Sequence, residues 1–519
     1  MRGVVVPLGN ANWVAYVTPF AAVRAVMRKG VREKGDHLLR GEPELISFHW
    51  EREGVPLLVR DSLWRPLSAS EKEGELAAQG GRRLRIRVGW RTANEFWVAW
   101  RIVDPDGGVH TLTWEVNSSS DFPARWGTGA LWAGPWRVGV QWEDASAGVW
   151  ALQPLARQKT PSDPPGALAR ALWSARVRPA SPTQGAATFS FAFNGAWRSE
   201  GEREEFINTR SAARAPMHSQ GEQQLASRLA LLKVPQPVRE VLHWTRDWFV
   251  SHIDPNGLVV APLAGDRSAA LSAHSAALFW RDRHYALGAF LARGTLRHLA
   301  ELPAWDNEAL LAFAHLGRYA RLSGNSNFAR ALLKEALARG LFERNPAGGE
   351  PARTQEEATT AAHYNAALQA AVWCARERGE LDLARQGELV THETERLVLR
   401  HLLQHASPSI LDTVPYLLDL ALLQGLPLAD HAAAGLLRAH AAQRPFPHDA
   451  VADICLGHSA QARSRLLEAT LVRQSENLFA FSDLAEGRWV WEIGLSAWDS
   501  APTTSPPRVL SHPALSYTP

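Results

Sequence analysis

Up to about residue 200 the chain alternates apolar and polar positions with a period of two. Arg83-Leu84-Arg85-Ile86-Arg87-Val88 does so strictly, as do Phe96 to Val103 and Thr188-Phe189-Ser190-Phe191-Ala192-Phe193. Side chains on a strand point to opposite faces in turn, so this pattern predicts strands with one buried face. Gly, Pro, Asn and Asp separate the runs, and Asp104-Pro105-Asp106-Gly107-Gly108 between two of them reads as a hairpin turn. Thr160-Pro161-Ser162-Asp163-Pro164-Pro165-Gly166 reads as a long loop before the last strands. Many short strands with such turns predict an antiparallel β-sandwich.

Beyond about residue 220 the spacing becomes helical. Ala309, Leu310, Phe313, Leu316, Gly317 and Ala320 fall on one stripe, and Tyr364, Leu368, Ala371, Val372 and Ala375 on another. Breaks at Gly324-Asn325, Gly340, Pro346 to Gly349, Gly379, Ser407-Pro408, Gly425-Leu426-Pro427 and Pro445-Phe446-Pro447 cut the region into helices, roughly ten to twelve of them. No repeat of fixed period emerges, which disfavours a solenoid and favours a closed toroid of paired helices. The expected organisation is thus a multidomain β + α chain. It comprises an antiparallel sandwich over 1–215, an (α/α)6-type toroid over 220–500 and a Pro/Ser/Thr-rich tail over 501–519.

Composition narrows the function classes. A chain of 519 residues exceeds one ordinary core, and its 46% hydrophobic and 21% charged content is that of a soluble globular protein. The net charge is only +3, with arginines scattered among acids, which argues against a nucleic-acid partner. Cys374 and Cys455 show no metal-ligand spacing and read as buried small hydrophobes. The opening Met1-Arg2-Gly3-Val4-Val5-Val6-Pro7 lacks the apolar core of a secretory signal, and no run reaches the length of a membrane span, so a cytoplasmic protein with no membrane partner is expected. Fourteen of the 22 tryptophans precede residue 200, where aromatic residues serve a sheet core.

The segment richest in chemistry is Phe279-Trp280-Arg281-Asp282-Arg283-His284-Tyr285. Arg281 beside Asp282 offers a planar donor fork and a carboxylate acceptor, which suits neighbouring sugar hydroxyls, and Trp280 offers a flat face for a pyranose ring. Trp244-Thr245-Arg246-Asp247 repeats the pattern, but precedes the apolar Gly257-Leu258-Val259-Val260 run and reads as an ion pair on a helix surface. His243, His252, His274, His284, His298 and His315 form no His-Glu-x-x-His arrangement, and no nucleophile elbow, P-loop or dinucleotide fingerprint occurs. No metal or organic cofactor is expected.

The order of these segments resembles the glucoamylase and glucodextranase family of inverting glycoside hydrolases. Leu8-Gly9-Asn10 with Trp13 to Val17 resembles the start of that family's bacterial sandwich domain, and Gly257 to Pro262 followed by Phe279 to Tyr285 resembles its first sugar-binding segment. Trp305-Asp306-Asn307-Glu308, Thr354-Gln355-Glu356-Glu357 and Ser475-Glu476-Asn477 with Trp489-Val490-Trp491 resemble later segments of the family. The resemblance implies a toroid whose cavity takes the non-reducing end of an α-glucan or other oligosaccharide. It implies Arg281 and Asp282 on the outermost sugar, Trp280 in the pocket floor and Asp306 as a binding carboxylate. Glu356 would be the general acid, with Glu350 and Glu357 as alternatives. Glu476 would be the general base, with Asp483, Glu486 and Glu492 as nearby substitutes. Inverting hydrolysis needs two such carboxyl groups about 6.5–9.5 Å apart, one protonating the leaving oxygen and one activating water. The rival readings are a non-catalytic carbohydrate-binding relative and a helical scaffold protein. The identity of the sugar and the oligomeric state stay open.

Overall fold

A computed structural model describes residues 5–29, 38–40, 44–67, 70–90, 95–118, 124–127, 130–133, 136–143, 149–157, 169–177, 185–195, 233–343, 355–404, 446–475 and 483–498. The chain divides into two compact units. The first holds residues 1–222, 246–255 and 260–266, and the second 223–245, 256–259 and 267–519. Antiparallel sheets thus come first and helices follow, in the order the sequence pattern implies.

The first unit contains two sheets. One runs β1 (Val6–Gly9), β2 (Trp13–Val17), β3 (Val23–Arg28), β5 (Ile46–Arg52), β11 (His110–Ser118), β16 (Ala169–Val177) and β15 (Val149–Arg157), with β4 (Leu38–Arg40) beside β3 and β6 (Val55–Pro56) beside β5. The other runs β12 (Ala124–Gly127), β13 (Ala130–Ala133), β14 (Trp136–Glu143), β17 (Gly185–Gly195), β10 (Glu95–Val103), β9 (Arg83–Trp90), β8 (Glu71–Ala78) and β7 (Val59–Pro66). The period-two pattern is realised in β9, where Leu84, Ile86 and Val88 are buried and Arg83, Arg85 and Arg87 are exposed. Trp90 bridges the sheets, stacking on Trp13 and donating its indole N–H to the Leu8 carbonyl at 2.7 Å.

The turn over 104–108 differs from the hairpin expected of it. β10 pairs with β9 and β17, whereas β11 pairs with β5 and β16, so the turn carries the chain from one sheet to the other. The cause lies in Asp104, which is fully buried and accepts from Arg52 at 2.7 Å, from the Asp106 N–H at 3.1 Å and bonds His110 Nε2 at 3.1 Å. A carboxylate out of water must be matched by donors, and the two side-chain donors, Arg52 and His110, come from β5 and β11 of the opposite sheet.

Trp244-Thr245-Arg246-Asp247 lies on helix α1 (Gln236–Ser251). Arg246 and Asp247 are buried and not on a helix surface, and Asp247 pairs with Lys72, which occupies an inward position on β8. Nearby in the same unit, Lys29 donates to the carbonyls of Ser251 and Ile253 at 2.9 and 2.6 Å, and Tyr16 Oη bonds His252 Nε2 at 2.9 Å. Burial lowers the Lys29 amine to about 7 against the opposing pull of Asp254, and burial takes His252 down to about 3.

In the second unit the helices are α2 (Ala269–Arg281), α3 (Tyr285–Glu301), α4 (Asn307–Ser323), α5 (Ser326–Ala338), α6 (Gln355–Glu377), α7 (Leu381–Gln404), α8 (His448–Cys455), α9 (Ser459–Ser475) and α10 (Leu484–Trp498). Helix α2 packs on α3 and α4, α4 on α6, and α6 on α5 and α7, while α8, α9 and α10 pack together and α10 returns to α2. The meeting of an early helix with the last described one is the contact that a closed toroid of helices requires. The stripe read along α4 is buried, but so are Ala312, Ala314, His315 and Arg318 on its other sides, because α2 and α6 enclose it. At Gly317 an added Cβ would lie 2.3 Å from Ala370 Cβ, so the approach of α4 to α6 depends on the missing side chain. Cys374 is buried and free, as a small hydrophobe would be.

Removing one partner of the buried Lys72–Asp247 pair leaves a charge out of water. The Lys72→Met variant is therefore expected to lose about 3–5 kcal/mol in denaturant unfolding, while Lys72→Met with Asp247→Leu loses less than the single change. His252 is uncharged in the fold down to about pH 3, whereas the unfolded chain protonates it near pH 6.5. The unfolded state then binds the extra proton, so its contribution to stability is full above pH 6.5 and is lost as pH falls towards 3. The plot of unfolding free energy against pH should be shallower over that interval in a His252→Gln variant.

Candidate functional site

The corner between α2 and α3 carries Trp280, Arg281 and Asp282. Helix α2 starts at Ser268, whose side chain accepts the Leu271 N–H, and ends at Arg281 with Asp282 as its C-cap. The Arg283 N–H returns to the Trp280 carbonyl at 3.0 Å and the His284 N–H to the Phe279 carbonyl at 2.8 Å. This pair of bonds is a Schellman stop, which puts the residue after the cap in the left-handed region. That residue is Arg283, at φ 67. Helix α3 then leaves so close to α2 that a Cβ on Gly288 would lie 2.9 Å from the Ala276 carbonyl oxygen.

The corner has an aromatic side. The Trp280 and Tyr285 rings lie 4.6 Å apart, Tyr319 meets Trp280 edge-on at 5.4 Å, and the Trp280 indole N–H donates to the Leu322 carbonyl at 3.1 Å. Tyr285 is 45% exposed, so the ring pair reaches the surface of the unit. Burial raises the Tyr319 hydroxyl to about 12, which keeps it protonated and able to donate.

Beneath the corner lies a buried ionic cluster. Arg281 pairs through Nη1 with Glu492 Oε1 on α10, and the same nitrogen donates to Ser496 Oγ at 3.1 Å. Arg318 on α4 grips Glu492 with both terminal nitrogens at 2.8 Å, Ser496 donates to it at 3.0 Å, and His274 Nε2 lies 3.2 Å from Oε2. Burial alone would raise the Glu492 carboxyl, but Arg318 and Arg281 outweigh it and hold the group well below the usual carboxylate range. Burial and the neighbouring His315 take His274 down to about 3, so the neutral ring bonds Glu492 as an Nε2–H donor. The two imidazoles stack at 4.4 Å. With five donors on two oxygens, Glu492 is an anchor with no capacity left to take a proton.

The six expected site residues are distributed as follows. Trp280, Arg281 and Asp282 come together at the α2–α3 corner, with Arg281 and Asp282 buried. Asp306 is the N-cap of α4, accepting the Ala309 N–H at 2.7 Å, and is exposed. Glu356 and Glu357 stand exposed in the first turn of α6, where negative charge complements the helix dipole. Glu476 and Glu350 lie outside the described residues. Of the substitutes for the base, Asp483 is exposed, Glu486 is half-buried and its carboxyl is raised by burial, and Glu492 is bound as above. No group of three or more metal-ligating side chains occurs among the described residues.

The roles of Arg318, His274 and Ser496 were not read from the sequence. A signal was present in Glu492, a lone carboxylate in the apolar run Trp489-Val490-Trp491-Glu492-Ile493-Gly494-Leu495, and in Arg318, which follows the mostly apolar stretch Ala309 to Gly317. Charges in such positions require partners, although the sequence does not say which.

No protein-family model and no curated protein sequence matches this chain. Among solved structures, a bacterial glucoamylase complexed with acarbose aligns at 10% identity with a TM-score of 0.43, covering 76% of this chain and 68% of that one. A family GH92 alpha-mannosidase from Bacteroides thetaiotaomicron aligns at 11% identity with a TM-score of 0.40, covering 96% of this chain and 82% of that one. The same mannosidase in complex with mannoimidazole aligns at 11% identity with a TM-score of 0.40. Identities and scores this low leave no residue role to transfer.

Glu492→Gln removes the charge on which two buried guanidinium groups converge and should cost about 3–5 kcal/mol in unfolding free energy. Glu356→Gln, on an exposed helix turn, should stay within about 0.5 kcal/mol of the parent in the same measurement.

Proposed function

We propose that this protein is a glycoside hydrolase that takes the non-reducing end of an α-glucan or α-glucoside at the α2–α3 corner and cleaves it with inversion. The observation that carries the reading is the helix stop at which Arg281 and Asp282 stand next in sequence to Trp280, whose ring pairs with that of Tyr285 at the surface. A donor fork and a carboxylate can bind paired hydroxyls while an aromatic face receives the apolar side of the ring. Glu492 and Ser496 hold Arg281 from behind, so its orientation is set before substrate arrives.

In this reading Glu356 protonates the glycosidic oxygen and Glu476 activates the attacking water, and hydrolysis delivers a product of inverted anomeric configuration. Asp306 serves as a further binding carboxylate, and the mechanism calls for no metal or organic cofactor. The exposure of Glu356 favours one alternative, a glycan-binding protein without turnover, because a general acid is usually sheltered enough to keep its proton.

The test is release of reducing sugar from maltotriose and a panel of other α-glucosides, with the product anomer followed by polarimetry. The reading expects β-anomer from the parent and a loss of about 100-fold or more in Glu356→Gln and in Glu476→Gln. Binding of maltotriose without turnover would replace it with the glycan-binding alternative, and neither binding nor turnover across the panel would end both.

A further inference from the structure

We infer that Arg283 is a substrate-contacting residue, supplying an outer arm of the sugar site formed with Tyr285. The inference rests on the carbohydrate reading of the α2–α3 corner and adds to it a residue that neither the motif nor the resemblance assigned.

Three observations converge on Arg283. Its backbone sits at φ 67, as the position after a Schellman cap demands. That place is ordinarily filled by glycine or asparagine, since a residue with a larger side chain meets its own carbonyl there. A strained position kept by a bulky residue is a hint of use at a functional site. Secondly, the side chain is exposed, and among the described residues no hydrogen bond or ion pair holds it. This contrasts with Arg281 two residues earlier, which is buried and tied to Glu492 and Ser496. Thirdly, the stop that strains Arg283 also places it between buried Asp282 and exposed Tyr285, whose ring lies against Trp280.

The three fit together in one arrangement. The buried Arg281–Asp282 pair serves the terminal sugar, the Tyr285 ring offers its exposed face to the next, and Arg283 presents guanidinium N–H donors to that second sugar's hydroxyl oxygens. Stability alone would favour glycine at this position, so a binding role explains what folding does not.

The experiment sets stability against affinity. Arg283→Gly is expected to raise the melting temperature by about 2 °C through relief of the left-handed strain, and to weaken maltotriose binding about five- to tenfold in a calorimetric titration. Arg283→Asn, which tolerates the same backbone but lacks the guanidinium, should match that loss of affinity. A purely structural residue would not move the two readouts in opposite senses. Unchanged affinity in both variants, with the parent binding maltotriose, overturns the role of Arg283 and leaves the carbohydrate reading intact. A parent that binds none of the sugars overturns both.

Discussion

The helical unit turns on one carboxylate. Glu492 joins α10 to α2 through Arg281 and to α4 through Arg318, and it takes further bonds from His274 and Ser496. Ions so deeply buried are worth little as net stabilisation against an apolar alternative, but they are costly to mispair. Such a cluster specifies one arrangement of three helices in preference to near-equivalent packings of the same apolar faces. The contact of α10 with α2 returns the chain to its early helices, and the Glu492–Arg281 pair spans it.

The sheet unit uses the same logic at Asp104 and at the Lys72–Asp247 pair. In each case a charge on an inward position is matched by a residue distant in sequence. That explains how much of the fold was legible. Alternation and helical spacing are local, and they identified β9, β10, β17, α4 and α6 directly. Partners of buried charges are not local. The 104–108 segment has the composition of a hairpin turn, yet Arg52 and His110 convert it into a crossing between sheets. Arg246-Asp247 looked like a surface pair because its partner, Lys72, lies 175 positions away.

The candidate site shows the same division. The Trp280-Arg281-Asp282 corner was visible because its residues are consecutive, and the chemistry of a donor fork beside a carboxylate can be read from three letters. Its supports on α4 and α10 were invisible for the opposite reason. The strain at Arg283 could be found only in the backbone, since nothing in its sequence neighbourhood distinguishes a left-handed arginine from a helical one. Asp306 and Glu356 share a further ambiguity, because an acid at a helix start serves capping and the dipole equally well.

The central claim is that sugar binds at the α2–α3 corner, and hydrogen exchange of the full chain with and without maltotriose tests it most directly. The account predicts slowed exchange in the peptides covering 279–288. Protection confined to the sheet unit, or none anywhere at saturating maltotriose, would contradict it.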